Sequence, residues 1–307
     1  MWAVHIWIKV YQGERPSVSI TYDAVGSGEG VNRFVAGSVD FGASDVILTD
    51  SEVAKVSQGV VMVAATAGMV VLAYNIPGIQ GKLRLPRDVY PGIFSGAIRR
   101  WDDPRIQQAN PGLVLPHRDI AVIARQDSSG TTYAFTSHLA AVDTEWRARG
   151  LGVGKLIEWL AGAMFASGNE GVASRIKISE GSIGYVEYGF AKRLGLPMAV
   201  LQNKRGNFVE PTDVGGQLAV AEATPKTAAD LDLSIVDPSG VGAYPIVTFS
   251  WLLLYRQYAD PGKGAAVRDF VAWGLSNGQA FGREFGYIPL PNEVAASGRQ
   301  ALGSIGR

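Results

Sequence analysis

Two short turns rich in glycine and in hydroxyl side chains have the residue types that bind an anion. The first is Gly26–Gly30 (GSGEG), which follows Tyr22, and the second is Asp127–Thr132 (DSSGTT), which follows Ile123. Each turn lies between a predicted strand and a predicted helix. The first N–H groups of a helix have no intrahelical acceptor and lie at the positive end of the helix dipole, so both turns would present donors to an oxyanion.

A single turn of this kind is more typical of an ordinary Ser or Thr helix cap than of a ligand site. Two such turns in one chain, the second preceded by Arg125, favour an oxyanion site, because a guanidinium adds charge-assisted hydrogen bonds. The glycine spacing of the first turn does not fit the dinucleotide-binding fingerprint, and the sequence has no GxxxxGK[ST] motif. The pattern therefore indicates a small anion and not a nucleotide.

Asp45 has the chemistry to select between anions. It follows a short apolar segment, Val39–Ala43, and Ser44, a position that is also typical of a turn or cap aspartate. An ionised carboxylate only accepts hydrogen bonds, so in an anion site it repels a fully ionised oxyanion and pairs with one that carries a proton. Phosphate carries a proton at neutral pH and sulfate does not. Asp45 therefore predicts a preference for phosphate over sulfate.

The surrounding sequence alternates strand and helix patterns. The predicted strands are Ser17–Tyr22, Val39–Ala43, Ile120–Arg125, Ile183–Val186 and Pro245–Tyr255. The predicted helices are Val31–Ala36, Asp50–Ser57, Asp102–Asn110, Thr131–Val142, Asn169–Arg175, Glu187–Leu194, Val214–Ala223 and Gly264–Leu275. This alternation predicts an α/β fold with mainly parallel sheets, in which ligands bind where strands end and helices begin.

The two ends of the chain have patterns of their own. The apolar segment Met1–Val10 has neither a basic n-region nor a small-residue cleavage site, and it is too short to span a bilayer. It is therefore expected to belong to an amphipathic helix that runs to about Gln12. The tail from Ser297 contains Gly, Ser and Arg and is expected to be frayed.

Composition excludes several classes of protein. The 307 residues include 28 basic and 28 acidic side chains, so a broad electrostatic surface for nucleic acid is not expected. The absence of Cys excludes disulfides and thiolate ligands. His5, His117 and His138 lack metal-ligand spacing. We therefore expect no metal, no cofactor, no nucleic-acid partner and no catalytic residues.

Taken in order, these segments resemble the phosphate-binding proteins of bacterial phosphate ABC transporters, a family of periplasmic binding proteins. The similar segments are Tyr22–Asp45, Val71–Gly78 (VLAYNIPG), Gly92–Ile106 (GIFSGAIRRWDDPRI), Asn110–Pro116, Ile120–Ala140, Gly168–Val172 (GNEGV) and Ser182–Ala191 (SIGYVEYGFA). The resemblance extends from about Tyr11 to about Pro291, which is nearly the whole chain.

The resemblance implies a two-lobe α/β fold, of the type II-like periplasmic binding protein class, with lobes that are joined by a strand hinge and close over one phosphate. Lobe I would comprise residues 1–72 and 247–307, and lobe II residues 73–246. The chain would be a monomeric solute-binding protein in the periplasm or on the outer face of the cytoplasmic membrane. It would capture inorganic phosphate and deliver it to the permease subunits of an ABC transporter.

The resemblance also implies a role for each site residue. Ser27 would donate hydrogen bonds, Asp45 would accept the proton of the ligand, and Arg125 would supply the charge-assisted bond. Asp127 would hold Arg125 in place. The residues expected to bind phosphate are Ser27, Asp45, Arg125, Ser129, Gly130 and Thr131, and the supporting residues are Gly26, Gly28, Asp127 and Thr132.

The amino terminus departs from the family pattern. Members of the family have a strand and a loop of the form GAGATFPAP before the first helix, and this sequence begins without them and without an export signal. We expect that the sequence begins late, because Ser27, Asp45, Arg125 and residues 129–131 persist. The alternatives are a paralogue that has lost binding, a binding protein for another oxyanion such as sulfate or molybdate, and a phosphatase-like enzyme on the same fold.

Overall fold

The computed structural model describes residues 2–223 and 235–306. Its helices are α1 Trp2–Glu14, α2 Ser27–Val35, α3 Asp50–Val53, α4 Tyr90–Phe94, α5 Pro104–Ala109, α6 Gly130–Val142, α7 Glu145–Ala148, α8 Gly168–Ile178, α9 Tyr188–Arg193, α10 Asp213–Val220, α11 Pro261–Gly274, α12 Gln279–Gly282 and α13 Asn292–Leu302, with a 3-10 helix at Arg283–Phe285. Its strands are β1 Phe41–Ser44, β2 Val60–Asn75, β3 Arg84–Leu85, β4 Ala121–Arg125, β5 Met164–Ala166, β6 Ser182–Glu187, β7 Val200–Gln202, β8 Phe208–Val209 and β9 Val247–Tyr255.

The chain forms two compact units. Of the described residues, 2–68, 223 and 249–306 form unit 1, and 69–222 and 235–248 form unit 2. Two long strands, β2 and β9, each contain residues of both units, so the chain passes from one unit to the other within a strand. Among the helices of residues 2–223 and 235–306, none is long and apolar enough to cross a membrane.

Unit 1 is built around the pairing of β1 with β9, which is antiparallel and sets Ala43 opposite Leu252. Helix α2 packs directly on β1, and glycine makes this possible. A Cβ atom on Gly30 would lie 2.5 Å from the carbonyl oxygen of Ala43, and one on Gly42 would lie 2.9 Å from the Cβ of Phe34. The helix can therefore approach the strand only where both side chains are absent.

The two ends of the chain meet inside unit 1. Trp7 on α1 is 1% exposed, and its Nε1 donates a hydrogen bond to the carbonyl oxygen of Gly278 at 2.8 Å. The ring of Trp7 packs edge-on to Phe270 on α11, with centroids 6.4 Å apart. It also covers Gly274, where a Cβ would lie 2.3 Å from the ring. Because tryptophan is the largest side chain and Trp7 is almost fully buried, its burial contributes strongly to the stability of unit 1.

Unit 2 has one larger and one smaller sheet. In the larger sheet β6 pairs antiparallel with β2 and parallel with β4, and β4 pairs parallel with β5. In the smaller sheet β7 pairs parallel with β3 and antiparallel with β8. Helix α6 follows β4 and buries Phe135, whose ring lies 4.7 Å from those of both Phe94 and Tyr185. This aromatic core lies beneath the start of α6.

Three expectations about the fold are wrong. Ser17–Tyr22 forms no strand: the N–H of Ile20 bonds to the side chain of Gln12, because an alternating pattern does not supply a partner strand. The tail is not frayed: it forms α13, with Leu302 and Ile305 buried in unit 1. The sheets are mixed and not mainly parallel: β1 with β9, β2 with β6 and β7 with β8 are antiparallel pairs.

The contact of Gly30 with Ala43 gives the first prediction. The Gly30→Ala variant should be less stable than the wild type by about 1–3 kcal/mol, because its methyl group overlaps a backbone oxygen that cannot move aside. Urea unfolding followed by circular dichroism measures the change. Gly13→Ala is the matched control: its Cβ meets no atom within 4 Å, and alanine favours a helix, so its stability should be unchanged or higher. An equally stable Gly30→Ala variant would contradict the described packing.

Candidate anion-binding site

In unit 2, the turn between β4 and α6 places an arginine beside the start of a helix. Strand β4 ends at Arg125, and α6 begins at Gly130 with Ser129 as its N-cap. The Ser129 hydroxyl accepts a hydrogen bond from the N–H of Thr132 at 3.2 Å. Accepting this bond leaves the hydroxyl its own hydrogen for donation, and the first-turn N–H groups of a helix have no acceptor within it.

Arg125 is buried and held in one orientation. Its side chain is 4% exposed, its Nε donates to Oδ1 of Asp127 at 2.8 Å, and its Nη2 donates to Oδ2 of the same carboxylate. Its Nη1 lies 3.4 Å from the hydroxyl of Thr131, in the first turn of α6. Because Asp127 occupies one edge of the guanidinium, the Nη1 side is directed toward the helix start.

Asp127 is fixed by a second contact. Its Oδ1 accepts a hydrogen bond at 2.9 Å from the N–H of Gly168, the first residue of α8. Burial raises the pKa of Asp127, but the hydrogen bonds from Arg125 and Gly168 outweigh burial, so the pKa lies below its usual value. Asp127 is therefore ionised at neutral pH and holds the guanidinium as a charged partner.

Tyr185 supports the same turn from the core. Its hydroxyl accepts a hydrogen bond from the N–H of Arg125 at 3.1 Å and lies 2.8 Å from the hydroxyl of Thr132. Burial raises the pKa of Tyr185 to about 12, so the phenol keeps its proton at neutral pH. Thr132, predicted as a supporting residue, is thereby connected to the backbone of Arg125.

Asn169 contacts this network and is not predicted from the sequence. It is the second residue of α8, its Oδ1 accepts a hydrogen bond from the N–H of Glu187 at 3.2 Å, and its Nδ2 lies 3.4 Å from the hydroxyl of Thr131. Asn169 thus joins the start of α8 to the start of α6. The available signal is its place in the GNEGV segment, where it is the first residue of the predicted helix Asn169–Arg175.

In unit 1, Ser27 and Asp45 are brought together. Ser27 is the first residue of α2 and is 6% exposed, and its hydroxyl accepts a hydrogen bond from the N–H of Asp45 at 3.1 Å. Gly26 is the N-cap of α2, and its φ of 83° is in the left-handed region that favours glycine. Gly28 is buried in the first turn of the same helix.

The carboxylate of Asp45 has a partner that is not predicted from the sequence. Asp45 directly follows β1 and is half-buried. Its Oδ1 accepts a hydrogen bond at 2.6 Å from the hydroxyl of Ser250, a residue of β9 that is 2% exposed. Because 205 positions separate these two residues, no local pattern connects them.

The predicted site residues therefore form two sets, each assembled within its own unit. The unit 1 set contains Ser27 and Asp45 with the supporting glycines, and the unit 2 set contains Arg125, Asp127 and the start of α6. Both sets are rich in donors and each holds one carboxylate. Within residues 2–223 and 235–306, no group of three or more His, Asp or Glu side chains could hold a metal ion.

Comparison with known proteins gives concordant results. A family model described as a PBP superfamily domain matches residues 3–277. The chain is 38% identical over 273 residues to the phosphate-binding protein PstS of Xylella fastidiosa (strain Temecula1), and the alignment covers 89% of this chain and 74% of that protein.

Solved structures share the fold. One is a high affinity periplasmic phosphate-binding protein (PfluDING) bound with phosphate, with a TM-score of 0.75 at 23% identity over 90% of this chain and 85% of that one. Another is a putative phosphate ABC transporter substrate-binding protein with bound phosphate from Clostridium perfringens, with a TM-score of 0.64 at 16% identity over 94% and 95% of the two chains.

The fold and the family match define a member of the PBP superfamily, the class of two-lobe α/β binding proteins. Within that class, the chain belongs to the PstS family of phosphate-binding proteins. The predicted fold class and the resemblance are thus confirmed. The family consists of binding proteins and not of enzymes, which removes the phosphatase-like alternative.

Proposed function

We propose that this chain captures inorganic phosphate as the solute-binding component of an ABC transporter. The observation that carries the proposal is the buried Arg125–Asp127 pair at the start of α6. A guanidinium that is fixed by a carboxylate loses little side-chain conformational entropy when it binds an oxyanion, because its N–H donors already point in one direction. Family membership supports phosphate as that oxyanion.

On unit 2, the proposed contacts to phosphate are made by Arg125 and by the first turn of α6. Nη1 of Arg125 and the hydroxyls of Ser129 and Thr131 donate to phosphate oxygens. The N–H groups of Gly130 and Thr131 add backbone donors at the positive end of the helix dipole. Because Asp127 neutralises the guanidinium, the anion is held chiefly by directed hydrogen bonds and not by a broad field.

On unit 1, the proposed contacts come from Ser27 and Asp45. The Ser27 hydroxyl accepts the N–H of Asp45 and can donate its own hydrogen to a phosphate oxygen. The Asp45 carboxylate accepts the proton that phosphate carries. This acceptor is an unfavourable neighbour for sulfate, which has no proton to give, so Asp45 provides the selectivity.

The proposed cellular role follows from the relatives. The Clostridium perfringens neighbour is named as an ABC transporter substrate-binding protein and the PfluDING structure as a periplasmic protein, which supports phosphate delivery to a membrane permease from outside the cytoplasmic membrane. We also propose that the chain acts as a monomer and binds phosphate without a cofactor.

Titration calorimetry on the purified chain tests the proposal. Phosphate should bind with one ion per chain, sulfate and molybdate should give no heat at the same concentration, and a chelator should leave the phosphate curve unchanged. Circular dichroism establishes that the sample is folded. A folded chain that gives no heat with phosphate would refute the proposal, and equal binding of sulfate would favour the oxyanion alternative.

A further inference from the structure

We infer that Ser250 is a positioning residue that fixes the Asp45 carboxylate and thereby sets the anion selectivity of the chain. The inference rests on the proposed function, in which Asp45 accepts the proton of phosphate. It adds a residue of β9 that lies 205 positions from Asp45 and that does not itself need to touch the ligand.

The geometry fixes Asp45 at two points. The Ser250 hydroxyl donates to Oδ1 of Asp45 at 2.6 Å, and the N–H of Asp45 donates to the hydroxyl of Ser27 at 3.1 Å. Both contacts lie within unit 1. One contact holds the backbone of Asp45 and the other holds its side chain, so together they restrain the direction of the carboxylate.

The direction of the Ser250 bond matters for selectivity. An ionised carboxylate cannot donate a hydrogen bond, so Ser250 must be the donor and its one hydroxyl hydrogen points to Asp45. Oδ1 is thereby committed to Ser250, and the remaining acceptor positions of the carboxylate keep a fixed direction. A carboxylate that could turn freely could rotate away from an anion without a proton and would lose part of its discrimination.

The surroundings of Ser250 show that its hydroxyl is not an incidental surface group. Ser250 is 2% exposed and lies in the apolar run of β9, between Phe249 and Trp251. A hydroxyl in such a place costs free energy unless it forms a hydrogen bond. Its bond in the structure goes to Asp45, a residue of the unit 1 set.

Two variants of nearly equal shape separate the hydroxyl from packing. Ser250→Thr keeps the hydroxyl, and Ser250→Val replaces it by a methyl group in a side chain of the same branching. We expect the Thr variant to keep the phosphate-to-sulfate affinity ratio of the wild type within about twofold, and the Val variant to lower it at least about fivefold. Competition calorimetry with phosphate and sulfate gives the ratio. Ser250→Ala, which adds no volume, replaces the Val variant if that protein does not fold.

A double-variant cycle identifies the partner. In the Asp45→Ala background, the Thr and Val variants at position 250 should have equal ratios, because the side-chain acceptor that Ser250 orients is gone. A difference that persists in this background would overturn the inference, as would equal ratios in the wild-type background. A wild-type chain with no preference for phosphate would instead refute the proposed function, so the two failures are distinguishable.

Discussion

The Arg125→Ala variant should bind phosphate at least about 30-fold more weakly than the wild type, a loss of about 2 kcal/mol. The variant loses a buried charge-assisted donor beside the first turn of α6. It also leaves Asp127 without its bidentate partner, and an unpaired carboxylate near the anion is repulsive. Calorimetry with phosphate measures the loss. A loss below about threefold would place Arg125 outside the site.

Two controls make the Arg125 result specific. Arg105 bonds through Nε and Nη2 to Asp103, two residues away, as Arg125 does to Asp127, but the Arg105 side chain is 53% exposed. Arg105→Ala should leave phosphate affinity unchanged within about twofold, because an exposed pair of this kind contributes little. Combining Arg125→Ala with Asp127→Asn should recover part of the lost affinity, since the repulsive carboxylate is removed as well.

The Asp45→Asn variant should lose selectivity more than affinity. An asparagine amide can donate a hydrogen bond to sulfate, whereas the carboxylate it replaces only repels that anion. We expect the phosphate-to-sulfate affinity ratio to fall at least about tenfold, with a smaller change in phosphate affinity alone. Competition calorimetry with the two anions at neutral pH measures both quantities.

The control for Asp45 is the same substitution at an exposed position nearby. Asp50 is exposed in the first turn of α3, so Asp50→Asn should leave the ratio at its wild-type value. An unchanged ratio in Asp45→Asn would show that Asp45 does not sense the proton of the ligand. A loss of phosphate binding as large as that of Arg125→Ala would assign Asp45 to general affinity instead.

The start of α6 was accessible to prediction because its signals are local. A polar turn, a Ser cap and a glycine follow a β-branched run, and the predicted helix Thr131–Val142 is confirmed by α6, which begins one residue earlier. The pairing of Arg125 with Asp127 is equally local, since two positions separate them. Local chemistry therefore identifies this part of the candidate site well.

The residues that the sequence does not reveal depend on contacts between distant positions. In the sequence, Ser250 is one residue of a predicted buried strand, and only the structure shows that its hydroxyl contacts Asp45. Asn169 becomes relevant only because α8 begins beside Thr131. The strand predicted at Ser17–Tyr22 fails for the opposite reason, because a correct local pattern finds no partner to pair with.

The division of unit 1 along the chain imposes an order on folding during synthesis. Residues 69–222 of unit 2 are contiguous, whereas unit 1 needs both residues 2–68 and residues 249–306. On the ribosome, α1 emerges long before Phe270, its packing partner, and β1 emerges long before β9. Most of unit 2 is therefore complete first, and residues 2–68 acquire their native partners only after residues 249–306 have been made.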